Sequence, residues 1–338
     1  MLNFRFLSIF LLAISALSFV ACSDSSEAKE TSKTTSATVS AIQSATPTPT
    51  REIATPTPNF ETTWPLSIKD ALGQGLIFDG VPQKIATISP MATEMLYAIG
   101  GSASLRDRAS NYPIEAQDIP DVGSAYEPSI ETIVANQPDL VIIESITQAR
   151  FAGILSQAGI KVMAVKVESI EDLTTYLTLL GKIIDKQKVS ADVIDDIHER
   201  LSIAKMTDTP TSILILIGDR DRNLYAARPE SYTGLIASTL GLDNKAAGLP
   251  DSAPYPGFAL MSTESLYKAN PDMIVTITPA PEPAPRLADS IKEIPPFAGL
   301  KAIRKNNVIE ADVSLFLQSP GPRIVDAVEF LKDALPAE

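Results

Sequence analysis

The chain has 338 residues, of which 41 are acidic and 28 basic, for a formal net charge of −13. That balance argues against a nucleic-acid partner and against electrostatic adhesion to anionic lipid. With a single cysteine, Cys22, and a single histidine, His198, the sequence can build neither an internal disulfide nor a His-rich zinc or manganese site.

Residues 3–5 form a weakly basic head and residues 6–20 an apolar run, shorter than the roughly 20 residues a spanning helix needs. The run ends in Phe19-Val20-Ala21-Cys22, the small-residue-plus-cysteine ending of a lipoprotein signal peptide. Residues 1–21 are therefore expected to be removed, leaving Cys22 to carry lipid. An uncleaved anchor is the competing reading, and it gives the same topology. Cleavage takes away only Arg5, so the mature chain keeps 27 basic and 41 acidic side chains, a net −14. Residues 22–63 are rich in Ser, Thr, Ala and Pro, with Thr46-Pro47-Thr48-Pro49 echoed by Thr55-Pro56-Thr57-Pro58. Such a segment cannot bury a core. In polyproline II it makes a disordered tether reaching up to roughly 100 Å.

Two lobes are expected beyond residue 63: residues 64–169 and 207–338, joined by residues 170–206. Residues 66–69 and 75–78 read as a small hairpin, and residues 84–88 as a buried strand ending at Ser89-Pro90. A helix over 91–99 closes at Gly100-Gly101. Strands at 141–144 and 161–165 with a helix at 151–157 complete a βαβ pattern that predicts a parallel sheet. Residues 170–205 contain no proline and one glycine, Gly181, with Leu173, Leu177, Leu180, Ile184, Ile194, Ile197 and Leu201 at helical spacing. This predicts a long bridging helix with one candidate break near Gly181. The alternation then resumes with strands at 212–217, 273–278 and 308–311 and helices at 234–241 and 324–334. The fold class is α/β: two parallel-sheet lobes, one long helix between them, and a cleft where the strands end.

An internal repeat supports the division. Ser129-Ile130-Glu131 leads to Pro138-Asp139 as Ser262-Thr263-Glu264 leads to Pro271-Asp272, so a glutamate precedes Pro-Asp by seven residues twice, 133 residues apart. Each copy reads as a short amphipathic helix, stopped by proline and followed by an apolar strand. Helix-Pro-Asp-strand is also a common way into a sheet, and each glutamate doubles as an N-terminal carboxylate favoured by the helix dipole.

Several segments together resemble a known family. Residues 84–90 with Thr93-Glu94, Asn111-Tyr112-Pro113, Val122-Gly123, both repeat copies and Gly321-Pro322-Arg323 are similar, in order, to the substrate-binding lipoproteins of iron-siderophore and cobalamin ABC importers. The resemblance implies two α/β lobes bridged by a helix, a permease with a cytoplasmic ATPase as partner, and Glu131 and Glu264 as permease-docking carboxylates. It further implies a monomer held at the outer face of the cytoplasmic membrane. The expected ligand is a ferric siderophore or related iron or corrinoid chelate, and no cofactor beyond that ligand's own metal. A cobalamin or heme protein of the same family, and a tethered interaction or sensor module, remain alternatives.

Catalysis is not expected. There is no Ser-His pair, P-loop, nucleophile elbow or cysteine cluster, and His198 falls in the charged run Asp195-Asp196-Ile197-His198-Glu199-Arg200. Asp219, Asp221, Asn223 and Glu230 imitate calcium-loop positions, but Leu224 replaces the required glycine, and a charged loop at the cleft mouth is the better reading. Tyr126, Tyr225, Arg228, Tyr255, Phe258, Phe316 and Arg323 are the candidate cleft residues, an aromatic and arginine lining suited to a large, partly anionic chelate. Against cobalamin-type members, Ala109, Ala125 and Glu144 stand where aromatic residues would stack a corrin.

Overall fold

A computed structural model describes residues 60–204, 211–318 and 321–336; Cys22, the signal peptide and nearly all of the tether lie outside the described residues. Among the described residues no helix is long and apolar enough to cross a membrane.

The first lobe begins with the expected hairpin, β1 (Leu66–Lys69) antiparallel to β2 (Gly75–Phe78). Strand β3 (Ile85–Thr87) leads into helix α1 (Pro90–Ala98), whose start is fixed by Ser89: its Oγ accepts the Ala92 N–H at 3.2 Å, and Pro90 supplies a preset φ. A two-residue ribbon, β4 (Gly123–Ser124) with β5 (Glu127–Pro128), precedes α2 (Ile130–Asn136). Then follow β6 (Leu140–Glu144), α3 (Ser145–Gln157), β7 (Lys161–Val165) and α4 (Ile170–Ile183). Strands β3, β6 and β7 form a parallel sheet in that order. Alternation sorts its residues: Leu140 and Ile142 face one core, Val141 and Ile143 the other.

The expected bridge over 170–206 is two helices. After α4 the chain turns through Ile184 and Asp185, the latter at φ +55°, and restarts as α5 (Gln187–Ala204). Gly181 does not break the helix. Its role is close approach, since a β-carbon there would sit 2.6 Å from Ser190 Cβ on α5. Ser190 Oγ donates to the Leu177 carbonyl at 2.8 Å and ties the crossing.

The second lobe holds β8 (Ser212–Gly218), β9 (Leu224–Ala227), α6 (Tyr232–Thr239), β10 (Asp243–Asn244), β11 (Phe258–Met261), α7 (Thr263–Ala269) and β12 (Met273–Ile277). It closes with α8 (Leu287–Ser290), α9 (Lys301–Arg304), β13 (Val308–Glu310), α10 (Val313–Phe316) and α11 (Ile324–Asp333). Its sheet runs β11-β9-β8-β12-β13, with β10 on the start of β8. Only β10, β8, β12 and β13 are parallel; β9 and β11 are antiparallel, so the expectation of a wholly parallel sheet is corrected to a mixed one.

One apolar cluster runs through both lobes. It joins Leu140 and Ile142 of the first sheet to Ile213 and Ile215 of the second, through Met95 of α1, Leu177 of α4, Ile197 of α5 and Val328 of α11. Each such side chain, fully withdrawn from water, contributes about 1.5–3 kcal/mol, so the lobes are joined by core and not by a strand hinge.

Candidate ligand cleft

The two repeat copies fold alike. Ser129 Oγ accepts the Thr132 N–H (3.2 Å) and Ser262 Oγ the Ser265 N–H (3.0 Å), capping α2 and α7. Both helices end on a left-handed residue, Gln137 or Asn270, before the buried proline. Asp139 Oδ2 then accepts the Gln83 and Lys84 N–H groups (2.8 Å each) at the start of β3, and Asp272 Oδ2 accepts the Ser212 N–H (3.1 Å) at the start of β8. The aspartates clamp neighbouring strands in register. Lys301 and Ser212 bonding outweighs partial burial and holds the Asp272 carboxyl down at about 2. Glu131 and Glu264 share the first-turn position, are exposed, and have no partner among the described residues.

At the carboxyl ends of the first sheet, Tyr126 sits in the β4–β5 turn, 66% exposed. Its carbonyl is held by the Arg150 guanidinium, and buried Gln148 donates to the neighbouring Ala125 carbonyl at 3.1 Å. Glu144 turns back as the cap of α3, accepting from the Ile146 (2.7 Å) and Thr147 (3.0 Å) N–H groups. On the second sheet, Tyr225 belongs to β9 and donates to Asp219 Oδ2 at 3.1 Å. Asp219 also takes the Asn223 side-chain amide and the Asp221 and Asn223 N–H groups, all at 2.8 Å, and these bonds hold its carboxyl low. The calcium-like residues are thus consumed within a turn, and Glu230 pairs with Arg228.

Tyr255 packs its ring 4.7 Å from that of Tyr225 at 60°. Desolvation, then Glu144 and Tyr255, raise the Tyr126 phenol. The predicted residues Tyr225 and Tyr255 are thus in ring contact, while Tyr126 makes no ring contact with either among the described residues. The two phenylalanines are buried. Phe316 has no exposed surface, because α10 turns it into the core edge-on to Phe330 at 5.7 Å, and Phe258, the first residue of β11, is 6% exposed and packs in the main apolar cluster. Two concavities, of about 300 and 260 Å³, lie elsewhere, one lined by Phe60 and Ser190 and the other by Phe78 and Asp139.

The predicted arginines are present but occupied. Arg228 pairs with Glu230 (3.3 Å) and Asp251 (3.4 Å). Arg323 crosses to the first lobe and grips Glu94 of α1 with two bonds, Nε at 2.8 Å and Nη2 at 2.6 Å, under the ring of Tyr112 4.0 Å away. Glu94 is 4% exposed; burial pushes its carboxyl up to about 7 against the lowering pull of Arg323. Gly321, at φ +73°, lets this segment lie against α1, where a β-carbon would stand 3.2 Å from Met95 Cγ. Glu94 and Tyr112 were missed as site residues. A charged residue between Met91, Met95 and Leu96 on a buried helix was the available signal.

Two α/β lobes joined by a shared apolar core give the chain a bilobal fold. The chain belongs to the periplasmic binding protein family, whose model matches residues 85–315. It is similar to the ABC transporter substrate-binding lipoprotein YvrC of Bacillus subtilis, 26% identical over 286 residues that cover 80% of this chain and 86% of the relative. A cobalamin-binding protein of Halobacterium salinarum is 21% identical, covering 80% and 74%. The crystal structure of the petrobactin-binding protein YclQ from Bacillus subtilis superposes with a TM-score of 0.71 at 21% identity, covering 81% of this chain and 99% of that one. The family comprises non-enzymatic transport components.

Proposed function

We propose that this chain is the extracytoplasmic binding component of an ABC importer, capturing a ferric siderophore or related iron or corrinoid chelate and docking on its permease through Glu131 and Glu264. The observation that carries the reading is the pair of exposed glutamates, without a partner among the described residues, at matching places in two lobes fixed by a common core. A rigid spacing of two carboxylates suits two arginines of a pseudo-symmetric permease, each met by charge-assisted, bidentate bonds. The tyrosines offer rings and hydroxyls to a bulky chelate. Cys22 supplies the anchor and the Pro-rich segment the reach.

The test pairs two measurements. Glu131→Arg or Glu264→Arg is expected to cut uptake in reconstituted vesicles at least about tenfold, while chelate affinity of the purified variant stays within about threefold. Normal uptake by both variants would reduce the glutamates to first-turn carboxylates. Collapse of ligand binding would put them in the cleft. In the same preparations, Cys22→Ser should leave the membrane fraction or fail to be processed; a retained, lipid-free variant would make residues 6–20 the anchor.

A further inference from the structure

Thr62 is fastened to the bend between the two helices that join the lobes. Its N–H donates to Asp185 Oδ1 at 3.3 Å, its Oγ1 donates to the Lys182 carbonyl at 2.9 Å, and the Gln187 side-chain amide donates to that same Oγ1. These partners lie 120–125 residues along the chain, so the entering backbone is held by α4 and α5 before β1 begins. Next to this clasp the concavity of about 300 Å³ opens between the helices, with Phe60 on its wall. Gln187, Ser190, Ala191, Ile194 and Asp195 form one side, at the three- and four-residue spacing of a single face of α5. Thr178 and Lys182 of α4 form the other. The polar lining is incomplete: Gln187 spends its amide on Thr62, while its Oε1 is buried with no hydrogen-bond partner among the described residues. A buried acceptor in that state costs about 1–3 kcal/mol until an N–H reaches it. The volume stands at the bottom of the range of about 300–1,000 Å³ for small-molecule pockets, and the lining runs along a helix, so an extended chain suits it better than a compact ligand.

Such a chain is at hand, because the described residues start at the groove itself and Phe60 is preceded by Thr55-Pro56-Thr57-Pro58-Asn59. We propose that residues 55–59 lie along the α4–α5 groove as a polyproline II strap, continuing the clasp that Thr62 begins. The lengths agree: Gln187 to Asp195 rises about 12 Å along the helix axis at ~1.5 Å per residue, and about four residues of polyproline II at ~3.1 Å each cover it. The proline rings cover Ala191 and Ile194, at little cost in entropy because proline presets its own φ. Pro56 and Pro58 have no N–H, so Thr57 or Asn59 supplies the donor for Gln187 Oε1. The two Thr-Pro copies then differ in role. Thr46-Pro47-Thr48-Pro49 starts nine residues earlier, with neither Phe60 nor Thr62 beside it to set its place, and serves as spacer. A pull from the membrane anchor is taken up by the helices between the lobes and not by the β1–β2 hairpin.

The test is amide hydrogen exchange, read by NMR, on the mature chain carrying Cys22→Ser, which keeps the whole segment and both helices. Relative to free-peptide rates, the Thr55, Thr57 and Asn59 amides should exchange at least about tenfold more slowly than those of Thr46, Thr48 and Thr50. Free-peptide rates at both copies overturn the proposal, and protection at the earlier copy alone overturns the choice of segment. Protection that disappears on dilution makes a second molecule the occupant and overturns it as well. A second readout comes from the groove. In the same background the thiol of an Ala191→Cys variant is the only one in the chain. Its alkylation should speed up at least about tenfold when Pro56→Gly and Pro58→Gly loosen the strap, and should not change with Pro47→Gly and Pro49→Gly. Equal acceleration by both pairs, or by neither, counts against a strap at 55–59. Should Ala191→Cys fail to fold, the exchange rates decide, since they need no change in the groove.

Discussion

Helix α11 and the segment before it are tied to the rest of the molecule by two arginine clusters of opposite character. Arg323 reaches Glu94 where the side chains are 16% and 4% exposed. Arg200 of α5 reaches Asp326 and Glu329 at 2.6 Å each, with side chains 32%, 41% and 44% exposed. The bond lengths are alike, so geometry does not separate them. Solvent does. In the first cluster water is excluded by Tyr112, Tyr232 and α1, so loss of one partner strands a charge; in the second, water replaces whatever is lost.

Breaking the buried cluster should have the largest effect. Arg323→Leu leaves Glu94 with neither water nor a cation, and at pH 9, where the carboxyl must either ionise unpaired or hold its proton against the solvent, the loss should reach about 3–5 kcal/mol by urea titration. At pH 5.5 a protonated Glu94 needs no counter-charge, and the loss should be visibly smaller. Equal losses at the two pH values would mean that packing, not charge, is what the arginine supplies.

The same carboxyl predicts a pH dependence in the unmodified protein. Glu94 titrates near 7 when folded against 4.5 as a free side chain, so between those values the folded chain holds a proton that the unfolded chain has released. Stability from this group is present below about pH 4.5 and falls as pH rises to about 7, by about 3 kcal/mol at most. Burial also raises Asp107, with the same sign, so the readout is the difference between wild type and Glu94→Gln. That variant should flatten the Tm profile across the window; an unchanged slope would assign the dependence elsewhere. The groups facing Glu94 are Arg323, Asp326 and Tyr232, and only Arg323 favours its ionised form.

Much of this architecture is written locally. The β3, β6, β7, β8, β12 and β13 strands and the Ser caps are set by residues within a few positions of one another, where apolar period and cap chemistry can be read; the Pro-Asp phrase is legible as a repeat, but the strands its aspartates clamp lie 55–60 residues away. Strands β9 and β11 are not legible in the sequence, because each is four residues long, too short for a period, and β9 follows a charged turn. The bridge is predicted as one helix with a candidate break near Gly181, and the break falls instead at residues 184–186, because Gly181 signals either a break or a close crossing and only tertiary contact decides. In the cleft, the tyrosines could be chosen by their place after strands. The state of the arginines could not, since Arg323 and Glu94 lie 229 residues apart, and Phe316 looks the same in sequence whether it lines a cleft or fills a core.

The exposed cluster gives the smallest expected effect and the sharpest use of the comparison. Arg200 donates Nε to Glu329 Oε1 at 2.9 Å as well as the two contacts at 2.6 Å, and these bonds raise its own pKa and lower that of Glu329. Yet half-exposed carboxylates are resolvated when the guanidinium is removed, and the long side chain regains rotamer freedom. Arg200→Ala should therefore cost no more than about 1 kcal/mol, less still in high salt. One consequence should nevertheless cross to the buried cluster. Asp326, which Arg200 neutralises, is also a charge that pushes Glu94 upward. Without Arg200 that push is unscreened, and the stability loss assigned to Glu94 should extend to higher pH. The measurement is a Tm profile of Arg200→Ala beside the Arg200→Ala/Glu94→Gln double variant: an upward displacement present in the first and absent in the second joins the two clusters through Asp326, and coincident profiles would make them independent.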